Sequence, residues 1–178
     1  MNRIHIVGRK NSGKTTLIVE LVEWLTQQGY QVGTIKHTHH HHELDTPGKD
    51  SFRHREAGSN AVGILSPAMN AVFWPNPKPL EPGEDESGTQ AEKRYQLFQS
   101  LMDQCDLVLV EGDSKTTATK LEVWRAENRT EPMIAQDEDF SALITDDDYA
   151  TSLPVLRRSD IPALAAWILK KAGVGVKP

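Results

Sequence analysis

Near the start of the chain, eight consecutive residues have the types and spacing of a phosphate-binding loop. The run GRKNSGKT matches the pattern G-x-x-x-x-G-K-[ST] without a gap. Its glycines allow the backbone to turn several N–H groups toward a phosphate, the lysine places a positive charge on the β- and γ-phosphates, and the final hydroxyl can ligate Mg²⁺. The predicted nucleotide-binding residues of this loop are Gly8, Arg9, Lys10, Asn11, Ser12, Gly13, Lys14, Thr15 and Thr16.

The elements that must position this loop lie on either side of it. RIHIVG, which ends at Gly8, has the β-branched composition of a strand, and residues 14–29 carry leucines at helical spacing before Gly29. YQVGTIKHT then returns to strand character, so the chain begins with a strand–helix–strand unit, which implies a parallel sheet. A helix that starts at the loop adds its positive end to the same anion site. We therefore expect the chain to bind a nucleoside phosphate.

A candidate acidic partner for the loop follows a strand that is apolar throughout. DLVLVEG has the composition of a central parallel strand and carries Glu111 at its end. A carboxylate there can coordinate Mg²⁺ or orient a water molecule, which makes Glu111 a candidate catalytic residue beside Lys14. The alternative is a polar strand end that faces solvent.

Base selectivity depends on a short acidic run. The N-K-x-D signature of many GTPases is absent, but ITDDD closes another strand with Asp146 and Asp147. An aspartate at this position can accept hydrogen bonds from N1 and N2 of guanine. A solvated acidic turn is the alternative interpretation, so the sequence leaves GTP and ATP both open.

The segment KHTHHHHELDTPGKDS, residues 36–51, holds five of the seven histidines. If the second strand stays extended, His37, His39 and His41 share one face and can bind Zn²⁺, Ni²⁺ or Cu²⁺. Position favours another interpretation, because the segment follows the strand after the phosphate-binding helix and so lies at the carboxyl edge of the sheet. The residues that can reach toward phosphate, Mg²⁺ or a second ligand there are Lys36, His37, Lys49 and Asp50.

Asp50 has two interpretations of its own. At the start of a short helix in DSFRHREAG it can hold a metal-bound water or sense the γ-phosphate. It is therefore a candidate catalytic residue, and a candidate Mg²⁺-site residue together with Thr15 and Glu111. The alternative is an ordinary N-cap supplied by Asp50 or Ser51.

The remaining segments complete one α/β domain over residues 1–178. AVGILS and NAVFW predict an antiparallel hairpin at residues 61–74, and residues 75–90 predict an exposed loop rich in proline and acids. Further elements are a helix at 91–104, strands at 120–126 and 142–147, and a closing helix at 160–173 before a loose tail at 173–178. We predict a three-layer P-loop NTPase domain with a mainly parallel sheet and a hairpin addition.

Composition excludes several classes of protein. The 178 residues carry a formal net charge of −5 and no basic cluster, which argues against binding to nucleic acid or to an anionic membrane surface. A single cysteine, Cys105, excludes an internal disulfide framework. The sequence shows neither a secretory signal nor a membrane span, so we expect a cytoplasmic protein.

Three segments together resemble the MobB family of molybdopterin-guanine dinucleotide biosynthesis adapter proteins. They are VGRKNSGKTTL, GTIKHTHHHHELDTPGKDSFRHREAG and DLVLVEG, and the resemblance covers roughly residues 3–170. The family commonly has an aromatic residue and lysine after VEG, where this chain has Asp113 and Ser114, with Lys115 one place later. His41 and His42 extend beyond the family motif. The matching positions of its second motif are Lys36, His37, His39, Pro47, Gly48, Lys49, Asp50 and Ser51.

The resemblance implies a dimeric, GTP-binding P-loop protein with weak GTPase activity that assists the MobA guanylyltransferase. It also implies that the histidine-rich segment belongs to a nucleotide or molybdopterin site. Hydrolysis is expected to be slow, because neither an arginine finger nor a catalytic glutamine is evident in the sequence. We place the dimer contact on the hairpin that ends at Phe73 and Trp74.

Two other functions remain open on the residues alone. A small-molecule kinase would use the same phosphate loop, although the one long loop is acidic and proline-rich, which suits a phosphate lid poorly. A histidine-rich GTPase that delivers metal ions is the second alternative. Such proteins usually place a cysteine near the nucleotide, whereas Cys105 precedes its strand and is expected at the opposite edge of the sheet.

Overall fold

Every neighbouring pair of strands in the main sheet is parallel. The computed structural model describes residues 1–38, 43–76, 88–137 and 139–177. The strands are β1 (Arg3–Val7), β2 (Val32–Lys36), β3 (Val62–Leu65), β4 (Asn70–Phe73), β5 (Leu107–Glu111), β6 (Lys120–Val123), β7 (Ala142–Ile144) and β8 (Val155–Leu156); the helices are α1 (Lys14–Gln27), α2 (Asp50–Glu56), α3 (Gly88–Phe98) and α4 (Ile161–Ala172). Six of the strands form a sheet in the order β2-β5-β1-β6-β7-β8, while β3 and β4 form a separate antiparallel pair.

The contacts divide the chain into two compact units. The first comprises Met1–Thr38 and Glu86–Pro178 and contains the parallel sheet; the second comprises His39–Asp85 and contains α2 and the hairpin. In the hairpin, Val62 pairs with Phe73 and Leu65 with Asn70. The antiparallel addition is therefore confirmed, and the assignment of residues 1–178 to a single domain stays a prediction.

Helices cover both faces of the parallel sheet. Successive residues of a strand point to opposite faces, so the strands contribute side chains to an apolar cluster on each side. Ile4 and Ile6 of β1 pack in one apolar cluster with leucines of α1 and α4. Val108 and Val110 of β5 belong to a second cluster with residues of α3. The predicted three-layer arrangement is thus confirmed.

Helix α1 is held to the sheet by the leucines that the sequence placed at helical spacing. Leu17, Leu21 and Leu25 are fully buried. Full burial of one such side chain contributes about 1.5–3 kcal/mol, so these contacts fix the helix start against β1. Gly29 ends the helix with φ of +82°. The loop between β1 and α1 is therefore held at both ends by a buried strand and a buried helix.

Several local predictions need correction. The N-cap of α2 is Lys49 rather than Asp50 or Ser51, and the Ser51 hydroxyl instead donates to the Asp45 carboxylate at 2.9 Å. Helix α3 ends at Phe98, six residues before the predicted end at 104. Strand β8 was not predicted at all; it has two residues, too few for a pattern.

The terminal segment, predicted to be loose, makes hydrogen bonds to the body of the first unit. The Lys177 backbone N–H donates to the Tyr30 hydroxyl at 3.0 Å, and its side chain donates to the Gly29 carbonyl at 2.8 Å. Tyr30 in turn donates to the Gly175 carbonyl at 3.2 Å. These bonds order the backbone through residue 177. Most of the predicted acidic loop, residues 77–87, lies outside the described part of the chain.

Candidate functional site

The loop between β1 and α1 has the backbone of a phosphate cradle. Three of its residues have positive φ: Gly8 at 148°, Asn11 at 64° and Gly13 at 90°. Asparagine tolerates this region better than most residues, and glycine has no side chain to oppose it. The Leu17 N–H donates to the Gly13 carbonyl at 3.0 Å, so regular helical bonding begins immediately after the loop.

Close neighbours as well as φ constrain both motif glycines, strongly at Gly8 and mildly at Gly13. A Cβ atom at Gly8 would lie 2.4 Å from the Val123 carbonyl oxygen and 2.8 Å from the Ser12 hydroxyl. One at Gly13 would meet the Arg125 guanidinium at 3.2–3.5 Å. The end of β6 therefore packs directly on the loop. The Ser12 hydroxyl is buried and has no hydrogen-bond partner among the described residues.

Lys14 lies against the loop that it would serve. Its ammonium donates to the carbonyl oxygens of Gly8 and Arg9, each at 2.8 Å. Burial lowers the pKa of Lys14 below its usual value, the Glu111 carboxylate acts in the opposite direction, and Lys36 adds to the lowering. A phosphate group in the loop would replace two neutral acceptors with an anionic one and so strengthen these bonds.

The predicted acidic partner stands beside the loop threonine. Because β1 and β5 are adjacent and parallel, Glu111 reaches the carboxyl edge at the level of the loop. The Thr15 hydroxyl donates to a Glu111 carboxylate oxygen at 2.8 Å, and the Lys36 ammonium lies 3.6 Å from the same oxygen. A hydroxyl and a carboxylate at this spacing are hard oxygen donors of the kind that Mg²⁺ prefers. The structure thus brings together Lys14, Thr15, Lys36 and Glu111.

A groove of about 340 Å³ runs from this pair between α1 and the strands β2 and β5. Ile18 and Val22 of α1 and Ile35 of β2 line it, with Thr15 and Glu111 also in its wall. The groove therefore combines apolar walls with polar groups of the loop.

His37 belongs to a buried polar cluster on the α3 side of the sheet. Its Nδ1 lies 2.9 Å from the Tyr95 hydroxyl and 3.8 Å from the Asp113 carboxylate, to which Tyr95 donates at 3.0 Å. His5 is fully buried and completes the cluster, with its ring edge-on to Tyr95 and its Nδ1 3.3 Å from the Gly112 carbonyl. Burial lowers the pKa of His5 to about 4, against the opposing effect of the Asp113 carboxylate. Lys36 and His37, adjacent in sequence, thus have partners in different clusters.

The acidic run after β7 is engaged by backbone groups. One Asp146 carboxylate oxygen accepts from the Ser159 N–H at 3.0 Å, and one Asp147 oxygen accepts from the Ala126 N–H at 2.8 Å. Hydrogen bonds from Ser159 lower the pKa of Asp146. Asp147 therefore ties the end of β7 to the residue that follows Arg125.

In the second unit, hydrogen bonds and ion pairs connect the residues around the start of α2. Asp50 begins α2, and its exposed carboxylate lies 4.0 Å from the Arg53 guanidinium. Asp45 is buried and accepts hydrogen bonds from the Thr46 N–H and the Ser51 hydroxyl, while Arg55 pairs with Glu43 at 2.7 Å. These bonds order the PGKDS turn. The roles predicted for Lys49 and Asp50 stay predictions.

The transition-metal interpretation also stays a prediction. Among the described residues, no three or more His, Cys, Asp and Glu side chains are grouped to hold a metal ion. His39 and His41 lie outside the described part of the chain, and His37 contacts Tyr95. Cys105 precedes β5 and so lies at the edge of the sheet opposite to the loop, as expected.

Three residues at the site were not found from the sequence. Arg125 packs on Gly13, Tyr95 joins His37 to Asp113, and Glu122 is a buried carboxylate on β6 that accepts from the N–H groups of Met133 and Ile134. Burial raises the pKa of Glu122. Glu122 could have been noticed, because a carboxylate in a strand that becomes buried needs hydrogen-bond partners. The other two residues depend on tertiary contacts.

Comparisons with known proteins agree with this architecture. The family model of molybdopterin guanine dinucleotide synthesis protein B matches residues 3–146. A molybdopterin-guanine dinucleotide biosynthesis adapter protein from Haemophilus influenzae is 33% identical over 163 residues, covering 92% of this chain and 85% of that protein. The adapter protein of the same name from Escherichia coli K12 is 32% identical over 163 residues, covering 89% and 86%.

Solved structures support the fold. Bacillus subtilis MobB superposes with a TM-score of 0.69 at 24% identity, covering 95% of this chain and 96% of that one. A MobB homolog from Bacillus stearothermophilus gives a TM-score of 0.65 at 23% identity, covering 98% and 100%. No helix in the described part of the chain is long and apolar enough to cross a membrane. With the family model matched over residues 3–146, the chain belongs to the MobB family.

Proposed function

We propose that this chain binds GTP and acts as an adapter in molybdopterin-guanine dinucleotide biosynthesis, where it assists a MobA-type guanylyltransferase. Nucleotide binding is supported chiefly by the hydrogen bond of 2.8 Å between Thr15 and Glu111. It lies beside a loop whose Gly8 carbonyl accepts a hydrogen bond from the Lys14 ammonium. The names of the relatives from Haemophilus influenzae and Escherichia coli support the adapter role.

Mg²⁺ is the metal that the site suits. The Thr15 hydroxyl and the Glu111 carboxylate would hold it, directly or through water. A bound Mg²⁺ would neutralise charge on the β- and γ-phosphates. Lys14 would bind the same phosphates from its position against the loop carbonyls.

Guanine is the base that the acidic run favours. Asp147 uses one carboxylate oxygen to hold the Ala126 N–H, and among the described residues its other oxygen has no hydrogen-bond partner. A carboxylate oxygen accepts from the N1 and N2 donors of guanine, whereas adenine offers no comparable pair of donors. Hydrolysis of the bound GTP is expected to be slow, and the output of the protein is association with its partner enzyme.

Replacing Lys14 by alanine is expected to weaken GTP binding roughly 10- to 150-fold, because a hydrogen bond to a charged group contributes about 1.5–3 kcal/mol. Thermal unfolding with GTP or ATP, with and without Mg²⁺, measures this. At one hundred times its Kd a nucleotide stabilises by about 2.7 kcal/mol, or about 5–10 °C for a chain of this size. The shift is expected with Mg²⁺ and GTP, and to be much smaller in Lys14→Ala.

Lys170→Ala is the control for that experiment, since it removes the same charge from the last turn of α4. It should respond to GTP as the unaltered protein does. A normal response of Lys14→Ala would place the nucleotide elsewhere. Equal or larger shifts with ATP would favour the kinase function, and stoichiometric metal retained after dialysis would favour metal delivery.

The proposal includes a homodimer formed through the β3–β4 hairpin. Leu65, Met69 and Trp74 are large apolar side chains with most of their surface exposed there. Loss of a buried aromatic side chain typically costs an interface about 2 kcal/mol, so Trp74→Ala should raise the dimer dissociation constant about 30-fold. Sedimentation equilibrium measures this, with Val19→Ala on α1 as the control. Unchanged dimerisation of Trp74→Ala would remove the hairpin from the interface.

A further inference from the structure

Arg125 occupies a position over the phosphate loop that the functions of the other loop residues do not explain. It follows β6, and its guanidinium lies against Gly13, where the Nη2, Cζ and Nε atoms are 3.2, 3.4 and 3.5 Å from the position of a Cβ atom. These nearly equal distances mean that the flat face of the group, rather than one edge, rests on the glycine. A Cβ atom at position 13 would press on that face, and the guanidinium would have to shift by a few tenths of an ångström.

The guanidinium of Arg125 has no direct polar partner in the described part of the chain, although its charge acts on the Glu20 carboxylate. Among the residues that the structure describes, it makes no hydrogen bond and no ion pair, and its side chain is only half-buried. Other arginines at this edge are engaged: Arg158 pairs with Glu20 and Arg157 donates to the Asp146 carbonyl at 2.7 Å. An arginine that is held flat but unpaired has one face and several donors available for a ligand.

The backbone that carries Arg125 is fixed. Its neighbour Trp124 is mostly buried, with the indole N–H donating to the Thr130 carbonyl at 2.7 Å and the ring packed on Tyr149. On the other side, the Ala126 N–H is bound by Asp147. Arg125 therefore starts from a rigid base, which reduces the entropy lost when a ligand contacts it.

Sheet order indicates which part of a nucleotide Arg125 would meet. β1, which leads into the loop, has β5 on one side and β6 on the other. The Thr15–Glu111 pair marks the β5 side as the side of the metal ion and the terminal phosphate. A nucleotide whose phosphates fill the loop must then direct its nucleoside toward β6 and β7, which is where Arg125 stands.

We propose that Arg125 forms one wall of the nucleoside site, with one face of its guanidinium on Gly13 and the other stacked on the purine base. A planar, weakly hydrated cation suits the face of an aromatic base, and the phosphates already have Lys14 and the loop N–H groups. This inference rests on the proposed nucleotide binding and assigns Arg125 as a base-contacting residue of that site.

Calorimetric titration of the full chain with Mg²⁺ and either GTP, GDP or inorganic tripolyphosphate tests the assignment. Arg125→Ala should bind GTP and GDP about 5- to 30-fold more weakly, as expected for a stacked cation, while its affinity for tripolyphosphate stays within about twofold. Arg125→Lys keeps the charge but has no planar face, and should bind GTP as weakly as Arg125→Ala. Arg129→Ala is the charge-matched control, since Arg125 and Arg129 flank the same short 3-10 helix, Ala126–Asn128, and it should resemble the unaltered protein.

Each other outcome has a distinct meaning. Equal losses for tripolyphosphate and GTP in Arg125→Ala, or full recovery in Arg125→Lys, would make Arg125 a phosphate ligand and overturn the stacking assignment. Unchanged binding of all three ligands by Arg125→Ala would also overturn it, while leaving the proposed function intact if Lys14→Ala loses GTP. An unaltered protein that binds none of the ligands would refute the proposed function itself.

Discussion

Replacing Gly8 by alanine is expected to lower the free energy of unfolding by about 2–4 kcal/mol and to weaken GTP binding more than about a hundredfold. The added Cβ would lie 2.4 Å from the Val123 carbonyl oxygen, which belongs to the β6 backbone and has little freedom to retreat. The loop must then move, and displacement of phosphate-binding N–H groups by about 1 Å costs affinity steeply. Denaturant unfolding and GTP titration of the same variant measure the two effects.

Gly29→Ala separates backbone strain from the collision. Gly29 has φ of +82°, but a Cβ atom there has no neighbour within 4 Å. It should cost only about 1 kcal/mol of stability and leave GTP affinity unchanged. If Gly8→Ala and Gly29→Ala behaved alike, the contact between Gly8 and β6 would not be what holds the loop in place.

Lowering the pH from 7.5 to 5 is expected to remove about 2 kcal/mol of stability through His5 alone, and about 3 kcal/mol once the pH approaches 4. Burial lowers the pKa of His5 from its ordinary 6.5 to about 4, because the folded protein offers the imidazolium no water. Below pH 6.5 the His5 side chain binds a proton in the unfolded chain, whereas in the native state it stays neutral until the pH approaches 4. The stability from the neutral ring is therefore complete above pH 6.5 and is lost between pH 6.5 and about 4.

Urea unfolding across this pH range, compared with His5→Gln, measures the effect. Asp113, at 4.0 Å, favours the protonated ring, whereas Arg3 and His37 oppose it, so the surrounding charges reduce but do not cancel the effect of burial. Glutamine does not titrate, so the variant should lack this part of the pH dependence. His54→Gln, on the exposed side of α2, is the control. A His5→Gln profile parallel to that of the unaltered protein would show that His5 accepts a proton in the fold.

The loop with the G-x-x-x-x-G-K-[ST] pattern and the two elements that flank it, β1 and α1, follow from the sequence because their determinants are local. The strand, the loop glycines and the leucines of α1 lie within residues 3–29, where spacing alone specifies the geometry. The proximity of Glu111 to Thr15 could also be predicted from the sequence, because an acid that follows an all-apolar strand lies at the carboxyl edge of a parallel sheet.

Arg125 and Tyr95 could not be assigned in this way. Arg125 meets Gly13 only because β6, rather than another strand, lies next to β1, and nothing within either segment specifies that order. Tyr95 has the spacing of an ordinary core residue of α3, and its hydroxyl has meaning only beside Asp113. The N-cap at Lys49 was missed because Asp50 and Ser51, both good capping types, are used within the turn and the helix instead.

Gly112 allows the segments that follow β5 and β2 to approach each other closely. Its φ is +93°, and a Cβ atom there would lie 2.9 Å from the His37 carbonyl oxygen. The segment after β5 and the segment after β2 are therefore in direct backbone contact. A side chain at position 112 would push these two segments apart, so the spacing of β2 and β5 at the carboxyl edge depends on the missing Cβ atom.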